Sequence, residues 1–167
     1  MSYVSRKNIP ENTIEARSYQ TAIADSALSA NTLVVLPTGM GKTAVALLVA
    51  ADRIDTGKVL MLAPTKPLVE QHLRYFSKNL LLEEGDVVMF TGSTPSPKRV
   101  AAWNAARFVI ATPEVIKNDL IAGRYGLEEV SLLIVDECHR TVGNYAYVFI
   151  GHRYNETAAH PLVLGMT

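Results

Sequence analysis

Two short stretches of this sequence carry side chains whose types and spacing could do chemistry. The first is PTGMGKT, which ends in Lys42 and Thr43. The second is DECHR, in which Asp136 and Glu137 precede Cys138, the single cysteine of the chain. Glycines before a lysine can fold the backbone around an anion, and adjacent carboxylates can hold a cation or activate a water molecule. The question is whether the two stretches serve one site.

PTGMGKT lies in the context that a phosphate-binding loop requires. An apolar run that predicts a strand, residues 32–36, comes before it, and an Ala-rich stretch that predicts a helix follows it. The glycines let backbone amides turn toward phosphates, and the helix N-terminus adds its positive end. Lys42 would bring a charge to the β- and γ-phosphates, and Thr43 would offer a hydroxyl to Mg²⁺. The loop departs from the strict pattern because Leu36 stands where a glycine is usual.

DECHR follows LLIV, an apolar run that predicts a buried strand. In an open parallel sheet, ligands gather at the carboxyl ends of the strands, where the phosphate loop would also lie. Asp136 could therefore hold Mg²⁺ at the same nucleotide, and Glu137 could orient or deprotonate an attacking water. Two acids at a strand end can also form a simple solvated turn, but the upstream phosphate loop favours a shared site.

The cysteine and the histidine of DECHR could instead form a site of their own. A cysteine nucleophile needs a base and an orienting partner, and a metal site needs more than one cysteine with a nearby histidine. None of the four histidines lies at metal-ligand spacing from Cys138. We interpret Cys138 as a small residue packed behind Glu137, which alanine could replace.

The rest of the chain alternates short apolar runs with longer amphipathic stretches. The runs lack polar alternation, which is typical of strands buried on both faces of a parallel sheet. With the helix-like stretches between them, they predict an α/β fold in which a mostly parallel sheet has helices on both faces. The predicted strands are residues 32–36, 59–63, 87–90, 108–111, 132–135 and 162–164. The predicted helices are residues 14–30, 41–55, 67–81, 112–122 and 144–157, and the predicted loops are residues 91–98, 122–126 and 139–144.

The composition excludes some classes of protein and predicts no particular partner. The 167 residues predict one domain, residues 1–167, and include sixteen basic and sixteen acidic side chains, so nucleic-acid binding would need a local arrangement of charge. One cysteine excludes an internal disulfide framework. The N-terminus lacks the apolar core of a signal peptide, and no apolar run reaches the ~18 residues of a membrane span. We expect no membrane partner and a cytoplasmic location, nucleoid-associated in an archaeon or nuclear in a eukaryote.

In combination, the stretches resemble the motifs of the first RecA-like motor domain of superfamily 2 helicases. Lys42 is followed 94 residues later by Asp136 of DECH. Five further stretches match family motifs, and together they cover nearly the whole chain: RSYQ (17–20, the Q motif), APTKPLVEQ (63–71, motif Ia), TG (91–92), ATPEVI (111–116) and GMT (165–167, the start of motif III). DECHR, NYAYVFI and PLVLGMT are most similar to the archaeal Hef helicase/nuclease and its Fanconi anaemia M relatives, which act on branched DNA.

The resemblance implies ATP and Mg²⁺ as cofactors and assigns roles at the nucleotide site. Gln20 would bond the adenine edge, with Arg17 and Tyr19 shaping that site. Asp136 would coordinate Mg²⁺, and Glu137 would activate water. His139 would couple the γ-phosphate site to motif III and to a second RecA-like domain. The residues implied to hold the phosphates and Mg²⁺ are Thr38, Gly39, Met40, Gly41, Lys42 and Thr43.

The resemblance also implies contacts to the backbone of a nucleic acid, DNA in preference to RNA. Such contacts go to phosphates, so they would not read sequence. The residues implied are Pro64, Thr65, Lys66, Thr91, Gly92, Thr112 and Pro113.

Several of these residues also have simpler interpretations. Gln20 could be a solvated helix residue and Lys66 a surface charge, while Thr112 could cap the next helix. The aromatic residues Tyr145 and Tyr147 are interpreted as packing residues. Two basic residues of a Pro/Ser-rich stretch, Lys98 and Arg99, are interpreted as solvated, and the alternative is that they line the path of the nucleic-acid strand.

Three alternatives for the function stay open. Double-stranded RNA translocases of the Dicer and RIG-I type share a similar DECH core. A phosphate-loop ATPase that does not act on nucleic acid is the second alternative, and a non-catalytic binding fragment is the third. Superfamily 2 motors use two RecA-like domains, and no motif here matches the second domain, which supplies the arginine fingers. We therefore expect a fragment of a longer protein that binds nucleotide weakly and cannot unwind nucleic acid alone.

Overall fold

The computed structural model describes residues 1–37, 39–141 and 143–167. Within these residues the strands form one six-stranded sheet in the order β1-β6-β5-β2-β4-β3, and every neighbouring pair is parallel. The strands are β1 (Thr32–Val34), β2 (Lys58–Leu62), β3 (Val87–Phe90), β4 (Phe108–Ala111), β5 (Val130–Val135) and β6 (Val163–Met166). The predicted parallel sheet is confirmed, with strand ends shifted by one or two residues.

The helices cover both faces of this sheet. They are α1 (Ser18–Ala27), α2 (Lys42–Arg53), α3 (Lys66–Asn79), α4 (Ser96–Ala105), α5 (Pro113–Ile121) and α6 (Tyr145–Thr157), with a 3₁₀ turn at Cys138–Thr141. The core is divided into two clusters, because alternate side chains of a strand point to opposite faces. Val59 and Met61 pack with α1, α2 and α3, whereas Leu60 and Leu62 pack with α4, α5 and α6. Among the described residues, no helix is long and apolar enough to cross a membrane.

The first helix begins later than the sequence predicts. Residues 14–16 pair with the N-terminal segment instead: the Val4 amide donates to the Ile14 carbonyl over 2.7 Å, and the Ala16 amide donates to the Ser2 carbonyl over 2.9 Å. Extended backbone with these partners cannot enter a helix, so α1 starts only at Ser18.

The predicted loop at residues 91–98 is partly wrong, because α4 begins at Ser96. A proline in the first helical turn has no amide to lose, so Pro97 is compatible with this start. The expectation that Arg99 is solvated is also wrong, since it is only 8% exposed. Its Nε and Nη2 atoms donate to the two carboxylate oxygens of Asp119 on α5 over 2.8 and 2.6 Å.

Asp119 is the centre of a buried network that joins α4, α5 and the loop after α5. Arg124 Nη1 donates to one of its oxygens over 2.7 Å, and the Tyr125 hydroxyl donates to the other over 2.6 Å. Trp103 of α4 stacks on the Tyr125 ring at 4.1 Å between centroids. Burial raises the pKa of the Asp119 carboxyl, but the hydrogen bonds from Arg99, Tyr125 and Arg124 outweigh it and hold this pKa below its usual range.

We expect Asp119→Asn to lower the free energy of unfolding by about 3–5 kcal/mol, because removing one partner leaves the buried Arg99 charge uncompensated. Chemical denaturation followed by circular dichroism measures this loss. The exposed Asp52 on α2 is the matched control, and Asp52→Asn should change the free energy by less than about 0.5 kcal/mol.

The decrease in the free energy of unfolding caused by Asp119→Asn should also depend on pH. A carboxyl whose folded-state pKa is depressed stabilises the fold above its unfolded-state pKa, and this stabilisation disappears as the pH falls through the folded-state pKa. The difference in stability between wild type and Asp119→Asn should therefore shrink below about pH 4. A difference that stays constant down to pH 3 would contradict this origin.

Candidate nucleotide and nucleic-acid site

The phosphate loop, residues 37–43, connects the edge strand β1 to α2. Gly39 and Gly41 have φ angles of +86° and +77°, in the left-handed region that side chains avoid. A Cβ added at Gly41 would lie 2.2 Å from Gln20 Nε2, so the end of the Gln20 side chain would have to move away. Lys42 is the first residue of α2, and Thr43 follows it at the helix N-terminus. Thr38, which the sequence also assigns to this loop, lies outside the described residues.

Helix α1 holds the phosphate loop through the carbonyl of Met40. This oxygen accepts hydrogen bonds from the Tyr19 hydroxyl over 2.8 Å and from Gln20 Nε2 over 3.1 Å. Arg17 reaches the same cluster, with Nη1 3.4 Å from the Tyr19 hydroxyl. Gln20 is only 4% exposed, so the interpretation of a solvated residue is wrong. The contact of Gln20 with adenine stays a prediction. The hydrogen bond from Gln20 to the Met40 carbonyl was not predicted from the sequence.

Asp136 lies at the carboxyl end of β5 and is 3% exposed. Oδ1 accepts from the Glu137 amide over 2.9 Å, and Oδ2 lies 2.7 Å from His72 Nε2. Burial raises the pKa of this carboxyl, but the contacts with His72 and the Glu137 amide outweigh it and bring the pKa below its usual value. Asp136 is therefore held as a carboxylate in one orientation.

The side chain of Glu137 lies next to the phosphate loop. Its φ of +53° is uncommon for a residue with a side chain and marks a strained turn directly after β5. Glu137 Oε1 lies 3.8 Å from Lys42 Nζ. The two stretches that the sequence singles out therefore meet at one site, and the alternative of a simple solvated turn at the strand end is wrong.

His139 bridges Glu137 and the end of the last strand. Its Nε2 atom lies 3.3 Å from Glu137 Oε2, and its Nδ1 atom lies 2.8 Å from the Thr167 hydroxyl. Thr167 is the last residue of the GMT stretch, so the two motifs that the resemblance couples are in contact. The further coupling to a second domain stays a prediction.

Cys138 has the environment of a packing residue. Burial raises the pKa of its thiol, which is the opposite of what an activated nucleophile needs. A Cβ added at Gly165 of β6 would lie 3.4 Å from its Sγ, so the thiol fills the space that this glycine leaves. Within the described part of the chain, no group of three or more His, Cys, Asp or Glu side chains could hold a metal ion.

The donors at this site nevertheless fit Mg²⁺ in the form that nucleotides bring it. Mg²⁺ keeps several waters and binds through one or two carboxylates together with substrate phosphates. Asp136 supplies a carboxylate at the carboxyl end of β5, and Thr43 supplies a hydroxyl at the N-terminus of α2. No cluster of protein ligands is required for such a cation.

The residues predicted to contact nucleic acid follow β2, β3 and β4, at the same edge of the sheet. Thr65 caps α3, with its hydroxyl accepting from the Leu68 amide over 3.4 Å, and Lys66 is exposed. Lys66 Nζ lies 3.4 Å from the Ser93 hydroxyl, so the stretch after β2 touches the turn after β3. Gly92 in that turn is exposed, whereas Pro64 is half-buried.

Two residues of that set are buried and cannot offer a side chain to a phosphate. Thr91 is 3% exposed, and its hydroxyl accepts from the Ser93 amide over 3.3 Å, so it shapes the turn instead. Pro113 is buried at the start of α5. Thr112 is half-buried and makes no side-chain cap hydrogen bond to α5, so capping does not explain its hydroxyl.

The two tyrosines at the start of α6 differ in burial. Tyr147 is buried, as the packing interpretation expects, but Tyr145 is 64% exposed and that interpretation is wrong for it. His72, which the motifs do not assign to the site, lies on the buried stripe of α3 with Val69 and Phe76. A histidine on an apolar stripe was the available signal, because a buried imidazole needs a polar partner.

Comparison with known proteins agrees with this geometry. A family model described as DEAD/DEAH box helicase matches residues 17–157. The chain belongs to the DEAD/DEAH box helicase family. It is 42% identical over 167 residues to a putative ATP-dependent RNA helicase of Methanocaldococcus jannaschii and 41% identical over 143 residues to the DEAD-box ATP-dependent DNA helicase Fancm of Drosophila melanogaster.

A solved structure supports the fold. The Hef helicase domain of Pyrococcus furiosus superposes with a TM-score of 0.92 at 48% sequence identity, over 95% of this chain and 34% of that chain. The RecA-like helicase fold is therefore confirmed. The relatives are much longer: the matches cover 99% of this chain but 21% of the Methanocaldococcus protein, and 81% of this chain but 10% of the Drosophila protein.

We expect Gly41→Ala to weaken nucleotide binding by the phosphate loop, because a side chain is disfavoured in this left-handed backbone and the added methyl group would displace the Gln20 amide that donates to Met40. Titration with a fluorescent ATP analogue measures this loss. Gly151→Ala in α6 is the matched control, since nothing lies within 4 Å of its Cβ position. The control should bind nucleotide normally and gain up to about 1 kcal/mol of stability from helix propensity. Normal binding by Gly41→Ala would refute the assigned loop geometry.

Proposed function

We propose that this chain is the ATP-binding motor domain of a superfamily 2 DNA helicase or translocase that remodels branched or forked DNA in repair. The proposal rests on one observation above all, the approach of Lys42 Nζ to within 3.8 Å of Glu137 Oε1 at the edge of a parallel sheet. Membership of the DEAD/DEAH box helicase family and the names of the relatives support it.

The chemistry that these residues can do is phosphoryl transfer to water. Lys42 neutralises the β- and γ-phosphates of ATP, and the N-terminus of α2 adds its positive end. Thr43 and Asp136 would hold Mg²⁺, which would supply further neutralisation of the phosphate charge. Glu137 orients the attacking water and accepts its proton. An arginine from a second RecA-like domain would complete the site, and such an arginine is worth about 10³–10⁵ in rate.

DNA is the proposed substrate, and a local surface must bind it because the chain has no net charge. Side chain or backbone is accessible after the strand ends where the nucleotide would bind, at Thr65, Gly92 and Thr112 in the loops and at Lys66 in the first turn of α3. The Drosophila relative is named a DNA helicase, while the Methanocaldococcus relative is named a putative RNA helicase. Double-stranded RNA is therefore the second candidate.

The ATPase activity of the full-length protein tests both parts of the proposal. Forked DNA should stimulate ATP hydrolysis more than double-stranded RNA of the same length does. Stimulation by RNA alone would favour the second candidate, and hydrolysis indifferent to either would favour an ATPase that does not act on nucleic acid.

A pair of adjacent substitutions tests the assignment of the acids. Glu137→Gln should lower ATP hydrolysis by at least about 10² because the general base is lost. Cys138→Ala should keep most of the activity, since the thiol only fills space next to Gly165. Equal activity of Glu137→Gln and wild type would revive the interpretation of a non-catalytic binding fragment.

A further inference from the structure

His72 is a buried polar residue on a helix face that is otherwise apolar. It lies on α3 between Val69 and Phe76, one turn from each, and all three side chains are buried. Its ring lies 6.2 Å from the ring of Phe76, between centroids. A leucine or phenylalanine would fill this place without the cost of desolvating an imidazole. Packing therefore does not explain why the residue is a histidine.

The contact that His72 makes is specific. Its Nε2 atom lies 2.7 Å from Asp136 Oδ2, and the two residues are 5% and 3% exposed. The other oxygen of Asp136 accepts from the Glu137 amide over 2.9 Å. With a partner on each oxygen, the carboxylate cannot rotate about its χ2 angle without losing a buried hydrogen bond.

Helix α3 is placed to make this contact by the strand order. β2 and β5 are neighbours, with Leu62 beside Val135, and only three residues separate the end of β2 from the start of α3. The first turn of α3 therefore lies at the edge of the sheet, and His72 reaches across to the end of β5. Lys66, in that first turn, is six residues before His72, a rise of about 9 Å along the helix.

We propose that His72 is a positioning residue that fixes Asp136 for the cation of the nucleotide. Through the same contact, His72 connects this carboxylate to helix α3, whose first turn contains Lys66. The inference rests on the proposed function, in which Asp136 holds Mg²⁺ and the first turn of α3 contacts DNA. Ligand carboxylates are commonly oriented by hydrogen bonds of this kind, and their loss costs about 10–100-fold in metal affinity.

Two amide substitutions separate orientation from packing. In His72→Gln the side-chain amide reaches about as far as Nε2 of histidine and can still donate to Asp136. In His72→Asn the amide is one methylene shorter and cannot reach it. Both variants are polar and fit the space of the imidazole, so a difference between them reports the hydrogen bond. His72→Leu adds the case in which packing is kept and no donor is present.

The first measurement is the Mg²⁺ concentration that gives half-maximal binding of a fluorescent non-hydrolysable ATP analogue to the full-length protein. This concentration should rise about tenfold in His72→Asn and His72→Leu and less than about threefold in His72→Gln. Nucleotide affinity in EDTA should stay within about twofold of wild type in all three variants, because the phosphate loop is untouched. Asn79→Leu, at another buried polar position of α3, is the control and should not change the Mg²⁺ dependence.

Equal Mg²⁺ dependence in His72→Asn and wild type would overturn the inference. Wild-type binding that does not depend on Mg²⁺ would instead refute the metal role of Asp136, and with it that part of the proposed function. The two failures are therefore distinguishable, and the Gln and Asn variants keep the test valid even where His72→Leu does not fold.

The second measurement tests whether His72 couples Asp136 to DNA binding at the first turn of α3. Forked DNA should lower the half-saturating Mg²⁺ concentration in wild type and in His72→Gln, because the first turn of α3, where DNA is proposed to bind, is connected to Asp136 through His72 in the middle of the same helix. The same DNA should have no effect on this concentration in His72→Asn. A wild-type protein that binds forked DNA without any shift in the Mg²⁺ dependence would contradict this coupling between DNA binding and Asp136.

Discussion

The common direction of the strands is the constraint on which the rest of this structure depends. Because every described strand pair is parallel, each strand ends at the same edge, and each is followed there by one of the candidate functional stretches. The order of the strands then decides which of them meet. β5 lies between β6 and β2, so the residues after β5 can contact both neighbours: His139 contacts Thr167 after β6, and Asp136 contacts His72 of α3. Residues far apart in the chain become one site without any long loop.

The chain has no excess of either charge, and two of its carboxylates are buried and paired. Basic and acidic residues balance, yet Asp119 and Asp136 are both buried carboxylates with partners on both oxygens. Asp119 joins α4 and α5 on one face of the sheet, and Asp136 joins β5 to α3 on the other. A buried pair contributes less stability than its Coulomb attraction suggests, but it fixes geometry, because either partner alone would be left uncompensated.

Much of this structure could be predicted from the sequence because its signals are local. The apolar runs predict the strands, and PTGMGKT predicts the turn into α2 from glycines and a helix start. Contacts between distant residues could not be predicted in this way. Arg99 follows prolines and a serine, a stretch typical of a loop, and its partner Asp119 lies 20 residues further along the chain. His72 meets Asp136 across 64 residues, and neither residue type indicates the other.

Thr91 illustrates a different limit of prediction. Its residue type and its place after β3 fit a contact to phosphate, but the turn closes on itself. The Thr91 amide donates to the Thr94 hydroxyl over 3.3 Å, and the Thr91 hydroxyl accepts from the Ser93 amide over 3.3 Å. Ser and Thr side chains often bond to nearby backbone in this way, which decides where a side chain points. A motif identifies the segment at a site, and the hydrogen bonds of the segment decide which of its atoms face outward.

The two hydrogen bonds to the Met40 carbonyl have a consequence for the amide that follows it. The peptide group is planar and trans, so its C=O and its N–H point in opposite directions. Since Tyr19 and Gln20 hold the Met40 carbonyl toward α1, the N–H of Gly41 must face away from α1. Helix α1 thus fixes the direction of the Gly41 N–H in the loop before any anion binds. Nucleotide binding therefore loses no free energy to the ordering of this amide.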